Sequence, residues 1–273
     1  MESTGHSTFV QLSSLIYHPI KACRGFAVSV WKVERMGLEH DRRMMVVTPE
    51  GHFLTQREQP RLALVTPELD GDTLRLCATG FDTLQLPIRR EGTPVSVDIW
   101  KSKDVPAIDQ GEEAAAWFSE WLGIPVRLVR FAEGHKRLVS RDYAVNPDDH
   151  TGFADGYPLL LASEASLEDL NSRMDTPLPM DRFRPNLVVK GCRPFEEDEW
   201  KRIRIGDAEI AIVKPCARCV VTTIDKRTLE RSKEPLKTLA TFRKQPRGVM
   251  FGQNAIPLAA GRLETGMHVE VLE

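Results

Sequence analysis

Short segments rich in β-branched and aromatic residues recur roughly every ten residues along this chain, with turn signals between them. Residues 9–17, 26–33 and 73–77 are of this kind, and Asp70-Gly71-Asp72 marks a tight turn. Strands at this spacing are typical of sandwiches and barrels, whereas a parallel α/β sheet needs a helix between successive strands. The sequence therefore predicts a β-rich α+β fold. Residues 62–65 and 219–224 are also apolar and are predicted as strands.

Three segments carry helical signals. Residues 109–122 begin with Asp109 and Glu112 at the spacing of a capping box, and Gly123 follows them. Residues 163–174 place apolar side chains near a helical period. Residues 234–244 carry Pro235 in their first turn, where its missing N–H costs nothing. We expect these three helices at the periphery of the sheets.

The composition is that of a soluble globular protein. Hydrophobic residues make up 41% of the chain and charged residues 28%, and the net charge is −2. So balanced a chain has no overall field with which to hold a nucleic acid polymer or an anionic membrane. Residues 1–9 lack the basic and apolar stretches of a signal peptide, and no apolar run approaches the ~20 residues of a membrane span. We expect a cytoplasmic protein without membrane contact.

Charge is distributed unevenly along the second half of the chain. Residues 148–199 contain 12 acidic and 5 basic residues, whereas residues 201–247 contain 13 basic and 5 acidic ones. Such blocks are often solvated faces that partly neutralise each other. The alternative is that the basic block lines a pocket for an anion.

Two of the five cysteines, Cys216 and Cys219, form a Cys-Ala-Arg-Cys motif. A structural zinc site needs four ligands, and the other three cysteines stand alone. A thioredoxin-type dithiol would open a helix, but residues 220–224 (VVTTI) are β-branched. Two buried thiols without function, or a single thiolate ligand at a strand start for a metal with non-protein ligands, remain open.

A second group of candidates is basic. Lys21, Arg42 and the pair Arg182 and Arg184 lie beside prolines or strand starts. Arginine forks and a lysine point charge both suit phosphate recognition. Walker and dinucleotide-binding glycine loops are absent from the sequence.

The local sequences carry a more specific signal than composition does. Taken together and in order, seven segments resemble MOSC proteins of the YcbX and mitochondrial amidoxime-reducing component type. The segments are residues 18–25 (HPIKACRG), 36–43 (MGLEHDRR), 55–61 (TQREQPR), 163–167 (SEASL), 183–186 (FRPN), 214–219 (KPCARC) with 222–225 (TTID), and 251–254 (FGQN).

This resemblance implies a fold, a domain division and a cofactor. The implied domains are a MOSC N-terminal β-barrel domain over residues 8–127 and a MOSC β-barrel with peripheral helices over residues 128–273. The implied cofactor is molybdenum bound to molybdopterin, with Cys219 as the metal ligand and catalytic residue. The positions implied for holding the cofactor are Lys21, Ala22, Arg42, Asp155, Gly156, Tyr157, Arg184, Asn186, Ala217, Arg218 and Asn254. At Ala22 and Ala217 any such contact must use the backbone.

The implied activity is the two-electron reduction of N-hydroxylated substrates: amidoximes, hydroxylamines and N-hydroxylated nucleobases. The sequence holds no plant-type cluster spacing Cys-x4-Cys-x2-Cys, so a separate donor such as a ferredoxin, flavodoxin or reductase is implied. The basic block, with Lys226, Arg227, Arg231 and Lys233, is a candidate docking surface for it. The alternative within the same fold is a molybdenum cofactor carrier or sulfur-handling protein without redox turnover.

Overall fold

The computed structural model describes residues 9–92 and 94–273. Most of the N-terminal segment from which we inferred the absence of a signal peptide lies outside these residues. In the described part of the chain, no helix combines the length and the apolar character needed to cross a membrane.

Strands dominate the described residues. In the first half they are β1 Gln11–Tyr17, β2 Phe26–Val28, β3 Val30–Glu34, β4 Gly37–Leu38, β5 Met44–Val47, β6 Thr66–Asp70, β7 Thr73–Ala78, β8 Phe81–Pro87, β9 Pro94–Ile99, β10 Ser102–Asp109 and β11 Arg127–Phe131. In the second half they are β12 Arg137–Leu138, β13 His150–Thr151, β14 Leu159–Ser163, β15 Leu187–Lys190, β16 Arg202–Ile205, β17 Ala208–Arg218, β18 Lys244–Gln245, β19 Gly248–Ala259, β20 Gly261–Glu264 and β21 Val269–Val271. The α-helices are α1 Glu112–Leu122, α2 Glu164–Ser172 and α3 Leu236–Phe242.

These strands form one large sheet and several small ones. The large sheet has nine strands in the order β2-β1-β15-β14-β19-β17-β16-β21, with β18 added beside β19. Smaller sheets are β5-β11-β10-β9, β20-β3-β4, β6-β7-β8 and β12-β13. The β-rich class and the three helices are confirmed. The sheets of the described residues are not closed into the barrels that we expected.

Strand pairing joins the two halves of the chain. Strand β1 pairs with β15, with Leu15 opposite Leu187, and β3 pairs with β20. One buried apolar cluster accordingly mixes Leu12 and Leu15 with Leu161 and Leu187. The division at residues 127 and 128 stays a prediction. Either way, β1 and β2 lie in the large sheet beside strands of the second half, and β3 and β4 form a small sheet with β20.

Local signals explain where the helices begin and end. Ser163 caps α2, and its side-chain oxygen accepts a hydrogen bond from the Ser166 N–H. Gly123 ends α1 in the left-handed conformation (φ 72°). The capping box at Asp109 was wrong. This residue ends β10, and its carboxylate accepts a hydrogen bond from the N–H of Gly111, the actual N-cap of α1.

Two predicted strands are instead single 3₁₀ turns. Residues 62–64 fall in the turn Pro60–Leu64, which Pro60 favours because its fixed φ suits a first helical position, and Val65 caps that turn. Residues 220–223 form the second turn, Val220–Thr223, and Cys219 and Ile224 cap it. There the Thr222 and Thr223 hydroxyls donate back to the carbonyls of Cys219 and Val220. These side-chain bonds stabilise a turn despite the β-branched sequence.

Candidate functional site

One cavity gathers almost all of the residues that the sequence singled out. It encloses about 880 Å³ of empty space, its open mouth included, and residues from both halves of the chain line it. Of the positions implied for the cofactor and the metal, Ala217 alone does not line the cavity; it lies exposed on β17. The predicted residues in the wall are Lys21, Ala22, Arg42, Asp155, Gly156, Tyr157, Arg184, Asn186, Arg218, Cys219 and Asn254.

An ion pair between Lys21 and Asp155 forms one corner of the cavity. Lys21 Nζ donates to the Phe153 carbonyl at 3.0 Å and pairs with the Asp155 carboxylate. Burial lowers the pKa of Lys21, and Asp155 opposes that shift. The Asp155 side chain is 73% exposed, and Lys21 and the Trp100 indole N–H hold the pKa of its carboxyl well below its usual range. The carboxylate is therefore charged and is held by Lys21.

Arg42 lies at the centre of a buried network. Its Nη1 donates to the Asp41 carboxylate and, at 3.0 Å, to Asn186 Oδ1. Its Nη2 donates to the Arg184 carbonyl at 3.1 Å. The Asp41 carboxylate also accepts the backbone N–H of His18 at 2.7 Å. The Asn186 amide is used within the protein, so its part in the site is to orient Arg42.

Two arginines of the wall retain unused hydrogen-bond donors. Arg184 donates from Nη1 to the Cys23 carbonyl at 2.7 Å, and Arg218 donates from Nη2 to the Phe183 carbonyl, also at 2.7 Å. Arg184 Nη2 and Arg218 Nε are buried, and neither has a hydrogen-bond partner in the described part of the chain. Burial and the neighbouring Arg42 lower the pKa of Arg184 to about 10. A bound anion would satisfy these donors and relieve the repulsion.

The charge of the wall is strongly one-sided. Six cationic side chains face one lining carboxylate, that of Asp155. Such a wall in a partly enclosed site favours an anionic ligand. The six cations are Lys21, Arg42, Arg57, Arg182, Arg184 and Arg218.

Cys216 and Cys219 both line the cavity, at and just beyond the end of β17. Cys219 therefore follows a strand, and our placement of it at a strand start was wrong. Arg182 Nε donates to the Thr222 carbonyl at 3.0 Å, which anchors the 3₁₀ turn that begins after Cys219. Arg218 Nη1 lies 2.9 Å from the Cys216 sulfur. Among the described residues, no three His, Cys, Asp or Glu side chains are grouped as a metal site.

Arg57 and Trp100 line the same cavity, and sequence reasoning assigned neither of them a role. The Arg57 guanidinium lies over the Trp100 ring, 4.8 Å from its centroid. Arg57 and Cys219 line the same cavity, and interaction with the Cys219 side chain raises the pKa of Arg57. The sequence signal that could have identified Arg57 is its place in segment 55–61, one of the segments that carry the family resemblance. Trp100 carried no sequence signal that pointed to the site.

Backbone strain is concentrated at this site. Ala22, Arg42, Trp100 and Arg184 have φ values of 69°, 48°, 53° and 56° and all line the cavity. Residues other than glycine rarely adopt this left-handed backbone conformation. Each residue that does so raises the free energy of the folded state by roughly 1–2 kcal/mol. The surrounding contacts must hold these four residues in place, as is common at ligand sites.

Comparison with known families covers both halves of the chain. Residues 9–125 match the MOSC N-terminal beta barrel domain, and residues 148–270 match the MOSC domain. The two matches include every residue that the sequence predicted for the site.

Comparison with individual proteins points the same way. The chain is 36% identical to mitochondrial amidoxime-reducing component 1 of Homo sapiens, over 96% of this chain and 82% of that one. It is 40% identical to mitochondrial amidoxime reducing component 2 of Rattus norvegicus, over 85% and 72% of the two chains. Among solved structures, the YUAD protein of Bacillus subtilis matches 96% of this chain and 94% of its own, at 10% identity and with a TM-score of 0.42.

Proposed function

The chain belongs to the MOSC-domain family that includes the mitochondrial amidoxime-reducing components, and from this premise we propose that it is a molybdenum-cofactor-dependent oxidoreductase. Its substrates would be N-hydroxylated compounds: amidoximes, hydroxylamines and N-hydroxylated nucleobases. The names of the relatives support amidoxime reduction at the level of the family. The single observation that carries the proposal is a thiol, Cys219, in the wall of a strongly cationic cavity.

The residues present fit an anionic cofactor. The buried donors Arg184 Nη2 and Arg218 Nε have no partner in the described residues, and both belong to side chains of the cavity wall. With Lys21 and Arg42 they would hold the phosphate of the pterin, because arginine forks and a lysine charge match its oxygens. Asp155 would act indirectly: it would hold Lys21 in position and would not contact the phosphate.

Cys219 would bind the metal. A thiolate is the ligand that thiophilic metals prefer, and the turn anchored by Arg182 fixes the position of this sulfur. When bound, the molybdenum cofactor supplies two-electron redox chemistry. Overall, an N–OH group takes up two electrons and two protons, the N–O bond breaks, and the amine or amidine leaves with one water. The protein binds and orients the substrate beside Cys219.

The alternative is a molybdenum cofactor carrier or a sulfur-handling protein without redox turnover. One observation favours it, namely that a second thiol, Cys216, lines the same cavity as Cys219. Such a protein would hold the cofactor and reduce nothing.

One experiment separates these functions. We expect the full-length chain, produced in a host that makes the cofactor, to contain close to one molybdenum per protein by elemental mass spectrometry. With a small chemical reductant, it should reduce benzamidoxime to benzamidine. Molybdenum without turnover would favour the carrier, whereas protein without molybdenum from a competent host would contradict both proposals.

Electrons would come from a separate donor protein, and the basic block is the proposed docking surface. Lys226 does not belong to it, because its ammonium donates to the Asp181 carbonyl and pairs with the Asp181 carboxylate at 2.9 Å. Arg227, Arg231 and Lys233 are exposed and remain. A cytoplasmic setting likewise stays a prediction, and the relatives are named mitochondrial.

Neutralising Arg227 and Lys233 together is expected to slow turnover several-fold when a reduced ferredoxin is the donor at low salt, because surface charge steers association. Turnover with a small chemical reductant should not change. The measurement is the rate of benzamidoxime reduction with each donor at two salt concentrations. An equal rate with ferredoxin at low salt would exclude this surface.

A further inference from the structure

Arg57 differs from the other cations of the cavity in its partners. Lys21 and Arg42 pair with carboxylates, and Arg182, Arg184 and Arg218 donate to backbone carbonyls. The Arg57 guanidinium has neither an oxygen acceptor nor a salt bridge among residues 9–92 and 94–273. It lies over the face of Trp100, in the cavity wall that also holds Cys219. Its N–H groups are available to a ligand.

The position of Arg57 is fixed from three sides. Its backbone N–H donates to Thr55 Oγ1 at 3.0 Å, and its carbonyl accepts a hydrogen bond from the Arg231 guanidinium. Trp100, over which it lies, donates from Nε1 to Asp155 at 3.1 Å. The Phe53 ring meets the Trp100 ring edge-on, with 4.7 Å between their centroids. Arg57 is therefore a preorganised donor in the cavity wall that also holds Cys219.

We propose that Arg57 determines substrate charge preference: it recognises planar N-hydroxylated substrates that carry an anionic or strongly accepting group, and it disfavours cationic ones. A guanidinium makes directional, charge-assisted bonds to carboxylate and similar oxygens, and it repels an ammonium group. The cofactor would neutralise the cations deeper in the wall. Arg57 lies outside that set, so its charge would still face the substrate. This inference rests on the proposed function.

The test uses three planar benzamidoximes: the unsubstituted compound, its 4-carboxy derivative and its 4-amidinio derivative, in which a planar cation takes the place of the carboxylate. Binding is measured by calorimetry on the cofactor-loaded, full-length protein without reductant, so that nothing turns over. We expect the carboxylate to bind at least about tenfold more tightly than the cation. Arg57→Gln should remove most of this difference and leave the affinity for the neutral compound within about twofold.

Two further variants separate recognition from folding. Arg57→Lys keeps the charge but not the planar fork, so it should retain part of the preference. Arg61→Gln is the matched control, because Arg61 lies over Trp121, 4.2 Å from its centroid, and does not line the cavity. It should bind all three compounds as the wild type does. In steady-state assays, Arg57→Gln should raise KM for the carboxylate more than it raises KM for the neutral compound.

The outcomes distinguish this inference from the proposed function. Equal affinities for the three compounds in the wild type, or an unchanged preference in Arg57→Gln, would overturn the role of Arg57 even if all three are reduced. A preference that Arg57→Gln abolishes would support it even if none of the compounds is reduced, and the reductase proposal would then fail alone.

Discussion

Replacing Cys219 by alanine is expected to lower bound molybdenum at least about tenfold and to lower benzamidoxime reduction by roughly two orders of magnitude. The cationic wall would still attract the cofactor, but the variant would lack the thiolate that we propose as the metal ligand. Cys219→Ser should recover only part of the loss, because a hydroxyl is a harder and weaker ligand. The measurements are molybdenum per protein and the turnover rate, both on protein of unchanged thermal stability.

Two other cysteines serve as comparisons. Cys216→Ala changes the second thiol of the cavity and should keep most of the molybdenum. Cys77→Ala alters a cysteine of β7 outside the cavity and should leave metal and rate as they are. Full metal content in Cys219→Ala, or its loss in Cys216→Ala, would contradict the assignment of the ligand. Equal losses in both variants would point to the pair acting together.

Replacing Asp41 by asparagine is expected to destabilise the protein by about 3–5 kcal/mol. The side chain of Asp41 is 2% exposed and that of Arg42 is 13% exposed, so the variant leaves a largely buried guanidinium without its counter-charge. Asp148→Asn is the matched control. The Asp148 carboxylate is 53% exposed and pairs with Arg35 and Lys136 at the surface, where such pairs contribute roughly 0–1 kcal/mol. Urea unfolding measures both, and a loss below 1 kcal/mol in Asp41→Asn would refute the argument.

The same carboxylate makes stability depend on pH. Although burial opposes ionisation, Arg42 and the hydrogen bond with His18 lower the pKa of Asp41 from 3.8 to about 2. The folded state therefore binds the proton less readily than the unfolded chain does. This contribution, about 2 kcal/mol, is complete above pH 4 and is lost as the pH falls through 2. In Asp41→Asn this part of the acid dependence should be absent.

The sequence was most informative where a local signal and the fold agree. Ser163 and Gly123 cap helices as their residue types predict, and the turn at Asp70-Gly71-Asp72 joins β6 to β7. The strand predicted over residues 219–224 was wrong, because β propensity alone does not show that the Thr222 and Thr223 hydroxyls can donate to carbonyls of their own turn. Pairing between distant strands, such as β1 with β15, has no local signal at all.

The predicted site residues show the same division. Eleven of the twelve positions that the motif resemblance implies lie in one cavity wall. The resemblance does not show what each of their side chains contacts. The motif implies that Asn186 holds the cofactor, and the structure adds that its amide also bonds to Arg42 and to the Ile16 carbonyl. Arg57 and Trp100 join Cys219 and Asp155 in one cavity wall through folding alone, since they are separated from them by more than fifty residues of chain. Only tertiary structure reveals such contacts.

Backbone strain in the cavity wall would affect how quickly a cell degrades the protein. Ala22, Arg42, Trp100 and Arg184 hold unfavourable backbone conformations, and the positive charges of Arg42 and Arg184 repel each other. A chain with an empty cavity should open first at this wall. A tightly bound anion would stabilise the closed form by mass action. Proteases would then remove empty chains faster than loaded ones, and the supply of cofactor would set the abundance of the protein as well as its activity.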